Sequence, residues 1–90
     1  MAKAYDGRAG AYEQVGQIKL AILDSKQVTI LLPNSYRGFY RAAKLLIRLE
    51  RFEQAKKMLV TGMTKSDVGN QLLLVRTLIS VHMMSAEVFQ

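Results

Sequence analysis

Apolar and small residues recur along this chain at helical spacing, and the recurrence itself repeats after 34 residues. Tyr5, Ala9 and Tyr12 stand at i, i+4 and i+7, a stripe that predicts a helix over 3–14. Ile18, Ala21, Ile22, Ser25 and Val28 predict a second over 18–31, ended by Pro33. Gly16 suits the turn between them because it accepts positive φ. Ser35 is placed to cap a third helix, 36–49, and Glu50-Arg51 makes a tight turn into a fourth, 52–63. Ser66 or Asp67 can cap a fifth helix from about 68 to 87. A short strand over 27–32 is the alternative at Val28 and Ile30, but the repeat register assigns these residues to a helix end.

Shifted by 34 positions, Tyr5, Ala9, Tyr12, Ala21, Val28 and Pro33 become Phe39, Ala43, Leu46, Ala55, Gly62 and Asp67. All but the last keep their size class. A 34-residue period with this aromatic and small order is the signature of helix–turn–helix repeats. The expected fold is therefore all-α, a short α-solenoid of antiparallel helix pairs in one domain, 1–90. Repeat one covers 2–35, repeat two covers 36–69, and the C-terminal helix closes the stack.

These residues resemble two tetratricopeptide repeats, most closely over PNSYRGFYRAAKLLIRLERFEQAKKMLVTGM. That stretch is similar both to the last repeat of co-chaperone tetratricopeptide domains and to the segment at the front of certain fungal F-box proteins, substrate adaptors of ubiquitin ligases. The co-chaperone resemblance implies a clamp for the carboxylate end of a chaperone peptide. Arg37 and Arg41 occupy two of its five positions, the first as Arg where Lys is usual. The Asn position falls at Gly7, and the groups of the family's earlier repeat have no counterpart. The departures favour the ubiquitin-ligase setting over the chaperone setting.

Charge adds a direction to this picture. Thirteen Lys and Arg against seven Asp and Glu give a net charge of +6, which favours acidic partners. Arg37, Arg41, Lys44 and Arg48 form a stripe at i, i+4, i+7 and i+11, covering about 16 Å of one helix face. No acid lies on that line, so the like charges oppose isolated helix stability. In the resembled fold this side faces the concave groove. Tyr40 and Ile47 lie beside it and offer apolar contact. These six residues are the expected site for an acidic or carboxylate-ended peptide, with guanidinium groups suited to bidentate pairing. Nucleic acid is a weaker candidate, because most aromatics occupy repeat-core positions rather than free stacking positions.

The last helix is apolar on more than one side. Leu72, Val75, Ile79 and Met83 are expected to cover the fourth helix, leaving Leu74, Leu78, Val81 and Met84 outward as an interface for a second chain or for neighbouring sequence. Two repeats also fall below the three that stack a stable core, so a homo-oligomer or a purely structural assembly role is the alternative function.

Catalysis finds no support. His82 has no second His or Cys with which to bind metal, Ser25 falls at an inter-helix packing position beside Asp24, and Glu13, Glu50 and Glu53 form no acid–base pair. Gly7 and Gly10 are expected to permit close helix packing rather than cradle phosphate. No cofactor or metal is expected. Absence of cysteine, of an apolar leader and of a membrane-length stretch places the expected location inside the cell, cytoplasmic or nuclear, away from membranes.

Overall fold

A computed structural model describes residues 2–65 and 68–88, with side-chain surroundings at all of these except 68–71 and 84–88. Five helices follow one another: α1 (Ala2–Gln14), α2 (Ile18–Leu31), α3 (Tyr36–Arg48), α4 (Phe52–Lys65) and α5 (Val68–Val88). There is no strand among the described residues, and α2 runs helical through Leu31. Each helix packs on the next, and α5 also reaches α3. The short connections turn the chain back on itself, so successive helices run antiparallel in an all-α, solenoid-like stack. Its extents are 42 × 32 × 15 Å. The shortest fits two helix layers at an axial spacing of about 10 Å with Cα radii of about 2.3 Å.

Local chemistry explains the ends. The Ser35 side chain accepts from the Arg37 N–H at 3.4 Å and caps α3. The proposed caps Ser66 and Asp67 lie outside the described residues. α4 runs to Lys65, two residues further than the sequence suggests, with the Thr61 and Thr64 hydroxyls donating back to the carbonyls of Lys57 and Thr61.

The 34-residue spacing also governs the backbone of the turns. Gly16 N–H donates to the Glu13 carbonyl at 3.1 Å, and Gln17 N–H to that of Tyr12 at 2.8 Å. One period on, Glu50 N–H donates to Ile47 and Arg51 N–H to Leu46, both at 2.9 Å. Each pair is the double hydrogen bond that closes a helix through a left-handed residue. That residue is Gly16 at φ 83 in the first turn and Glu50 at φ 59 in the second. Glycine bears this without penalty, whereas a side chain there costs about 1 kcal/mol.

The repeat's small positions are where helices meet. Ala9, Ala21, Ala43 and Ala55 are fully buried, and Leu45, Leu46 and Leu59 fill the space between them. A Cβ at Gly38 would stand 2.9 Å from Thr29 Cγ2, and one at Gly62 2.9 Å from Phe39 Cβ, so only glycine fits these crossings. Ser25 is fully buried and donates to the Ala21 carbonyl at 2.9 Å, which makes it a packing residue. Gly7 and Gly10 do not bring helices together: nothing lies within 4 Å of a Cβ at Gly7, and the Arg41 guanidinium lies 3.5 Å from one at Gly10.

The last helix reverses the sequence expectation. Leu74 and Val81 are fully buried and Leu78 is half-buried, while Leu72, Val75, Ile79 and Met83 are exposed. Leu74, Leu78 and Val81 are therefore core residues, not an outward interface, and the Met84 side chain lies outside those described. The reason is register. The packed positions of α3, Phe39, Ala43 and Leu46, recur at Leu74, Leu78 and Val81, a spacing of 35 residues (39 to 74, 43 to 78, 46 to 81). One residue beyond the 34-residue period turns the inner stripe by about 100°, away from Leu73, Thr77 and Ser80 and onto Leu74, Leu78 and Val81.

Candidate functional site

α1, α3 and α5 share one face of the slab, and its chemistry changes from helix to helix. α1 contributes Asp6 and Glu13, one helical stripe apart. α3 contributes the basic stripe, and α5 contributes Leu73 and Arg76. An open groove of about 380 Å³ between α1 and α3 brings together Asp6, Glu13, Arg37, Tyr40, Arg41 and Lys44. A neighbouring groove of about 430 Å³ between α3 and α5 collects Tyr40, Lys44, Ile47, Arg48, Leu73 and Arg76. All six residues expected from sequence thus border one continuous surface.

Three of its four cations are already paired within the molecule, which corrects the expectation of a free basic stripe. Arg37 Nη2 lies 3.4 Å from Asp6 Oδ2, and Arg41 Nε 3.3 Å from Asp6 Oδ1. Arg41 Nη1 donates to Glu13 Oε1 at 3.2 Å, and Arg48 Nη1 lies 3.7 Å from Glu13 Oε2. The result is an alternating ladder, Arg37–Asp6–Arg41–Glu13–Arg48. The α1 carboxylates interleave with α3 and relieve the repulsion along its stripe. Arg41 sits at the centre, its side chain 29% exposed, over the space left by Gly10. Arg37 and Arg48 are more than half exposed, so their pairs are weak.

Lys44 and Arg76 form no ion pair among the described residues. The Lys44 ammonium lies 5.3 Å from the centre of the Tyr40 ring, a cation–π contact that leaves its hydrogens to solvent. Tyr36 packs tilted against Tyr40 at 6.5 Å between centroids, which fixes the ring beneath the ammonium. Ile47 is half-buried against the core and exposes only its rim. Five cations (Arg37, Arg41, Lys44, Arg48, Arg76) face two carboxylates (Asp6, Glu13), so the face carries a net charge of 5 − 2 = +3.

A separate ion pair, which the sequence reading missed, lies at the edge of the stack. Arg8 Nε donates to Asp24 Oδ2 at 2.7 Å and Nη2 to Oδ1 at 2.9 Å, a two-point fork. The guanidinium also lies 5.5 Å from the Tyr5 ring centre and 5.8 Å from that of Tyr12. Hydrogen bonding from Arg8 holds the enclosed Asp24 carboxyl below its ordinary range, against the opposing effect of burial. The same bond and charge push Arg8 higher than usual. This is a structural tie between α1 and α2, not an acid–base pair.

Part of the signal for the ladder lay in the 34-residue spacing. Asp6 precedes Tyr40 by 34 residues and Glu13 precedes Ile47 by 34, so the acids occupy matching places on the helix beside the basic stripe. Arg76 could not be placed before the register of α5 was known. Among the described residues no group of His, Asp or Glu is arranged to hold a metal, and no helix is long and apolar enough to cross a membrane. Comparison of the chain with protein-family models and with curated proteins gives no match.

Proposed function

We propose that the chain is a protein-interaction module whose α1/α3/α5 face binds an acidic peptide, as an adaptor segment of the kind found in ubiquitin ligases. The observation that carries this reading is that Lys44 and Arg76 form no ion pair among the described residues and stand beside the apolar surface of Tyr40, Ile47 and Leu73. Arg37 and Arg48 can add to them, because their exposed guanidinium groups are only loosely held by Asp6 and Glu13. Arg41 has a different part: it organises the face rather than touching the ligand. A chaperone tail is less well served, since its two clamp matches, Arg37 and Arg41, are the residues engaged by Asp6.

Lys44→Glu and Arg76→Glu test the proposal in a folded protein, since both side chains project into solvent. Each should weaken an acidic peptide about tenfold at low salt, as expected when one charge-assisted contact worth about 1.5 kcal/mol becomes a repulsion. Unchanged binding in both variants refutes it. If instead single-stranded nucleic acid binds and the acidic peptide does not, the charge serves phosphates.

A further inference from the structure

We infer that this face recognises a ligand of two chemistries, with carboxylates over α3 and large apolar side chains over α5; the inference rests on the acidic-peptide reading above. The 35-residue shift that places Leu74, Leu78 and Val81 on the core positions of α3 also carries Arg37, Lys44 and Arg48 onto Leu72, Ile79 and Met83. The exposed stripe of α5 therefore occupies the register of the basic stripe and looks out on the same side. Leu72, Ile79 and Met83 are 69, 55 and 63% exposed, an apolar stripe of the kind that marks a contact surface. Leu73 and Arg76 lie between the two stripes and line the groove that joins them.

Charge selects the occupant. No acid stands among residues 72–83 of α5, and the apolar stripe is bordered by Arg76 and faced by Lys44. A second copy of this chain would bring the same uncompensated positive face against itself. An acidic segment from another protein complements the rim and fills the stripe. Helices in contact lie about 10 Å apart, which an extended peptide crosses in about three residues. The fitting ligand thus has its carboxylates about three residues away from a pair of large apolar side chains, a Leu and a Phe for example. Burying two such groups should tighten binding at least about tenfold.

Fluorescence anisotropy with two labelled synthetic peptides tests this. One carries four acidic residues, a three-residue spacer, then Leu and Phe; in the other, Leu and Phe are serine. The parent peptide should bind about tenfold more tightly than the serine control. The double variant Ile79→Ser/Met83→Ser, altered only at exposed positions and checked for helix content by circular dichroism, should bind the two peptides alike. Lys44→Glu should weaken both. If the control matches the parent, or the double variant keeps the preference, the two-part recognition is overturned while the acidic-peptide reading stands. If neither peptide binds the folded wild-type chain, both readings fall. Sedimentation showing a dimer that Ile79→Ser/Met83→Ser dissolves would give the stripe to a second copy and overturn the inference.

Discussion

Tyr5 and Phe39 hold the same place in α1 and α3, yet Tyr5 is half-buried and Phe39 is 4% exposed. Tyr12 and Leu46 repeat the contrast, and Arg8 stands where α3 has the fully buried Ala42. The difference follows from neighbours. α3 is enclosed by α2, α4 and α5, whereas α1 packs mainly on α2. At the centre the repeat is filled with Phe39 and with aliphatic and small residues. At the edge the same backbone plan is kept by tyrosines with a polar end and by a forked Arg–Asp pair held between their rings. A repeat fixes where side chains go; the number of neighbours fixes what they must be.

The largest test of this contrast is truncation. Phe39→Ala should cost about 3–5 kcal/mol in urea denaturation, and Tyr5→Ala about 1–2 kcal/mol, because its ring is part solvated already. Equal losses would mean that α1 is as deeply packed as α3. Charge reversal comes next. Arg41→Glu removes two contacts and sets a like charge against Asp6 and Glu13, so it should destabilise the fold by about 1–2 kcal/mol, whereas the exposed Arg37→Glu should stay within about 0.5 kcal/mol. The reverse order would place the ladder's centre elsewhere.

Acid distinguishes the edge from the middle. The Asp24 carboxyl is held below its ordinary value of 3.8 in the folded chain. Its contribution is therefore complete above that ordinary value and is lost as pH falls through the lowered folded value. Thermal melts between pH 6 and pH 2 should lose stability more steeply below pH 4 in the wild type than in Asp24→Asn. Superimposable pH profiles would remove Asp24 from the account. The smallest effect belongs to the turns: Glu50→Gly should stabilise by a few tenths of a kcal/mol, relief of positive-φ strain being partly offset by a more flexible unfolded chain.

Helix order, the 34-residue spacing and the small positions at Ala9, Ala21, Ala43 and Ala55 were legible because period and side-chain size leave few packings. The Gly16 turn was legible for the same reason as its counterpart at Glu50 was not: glycine advertises positive φ and glutamate does not. The inner face of α5 was misjudged because its sequence offers two apolar stripes, and only packing against α4 and α3 decides between them. The basic stripe was found, but its partners were not, since ion pairs between α1 and α3 depend on how two helices lean together. Asp6 and Glu13 come to stand between arginines only where α1 leans on α3.

The ladder from Arg37 to Arg48 has a consequence for how the molecule opens. Gly7 and Gly10 make α1 a poor helix by itself, each costing about 1 kcal/mol relative to alanine. Much of what binds α1 to α3 is Coulombic and partly wet, and such attraction fades as the screening length shrinks from about 10 Å at 0.1 M salt to about 3 Å at 1 M. Sodium chloride should thus loosen the seam between α1 and α3, raising amide exchange in α1 ahead of α3 and α4, while Ala9 and the Arg8–Asp24 fork keep α1 on α2. The first helix would then hinge on its apolar contact with α2, an electrostatic latch opening beside a seam that stays shut.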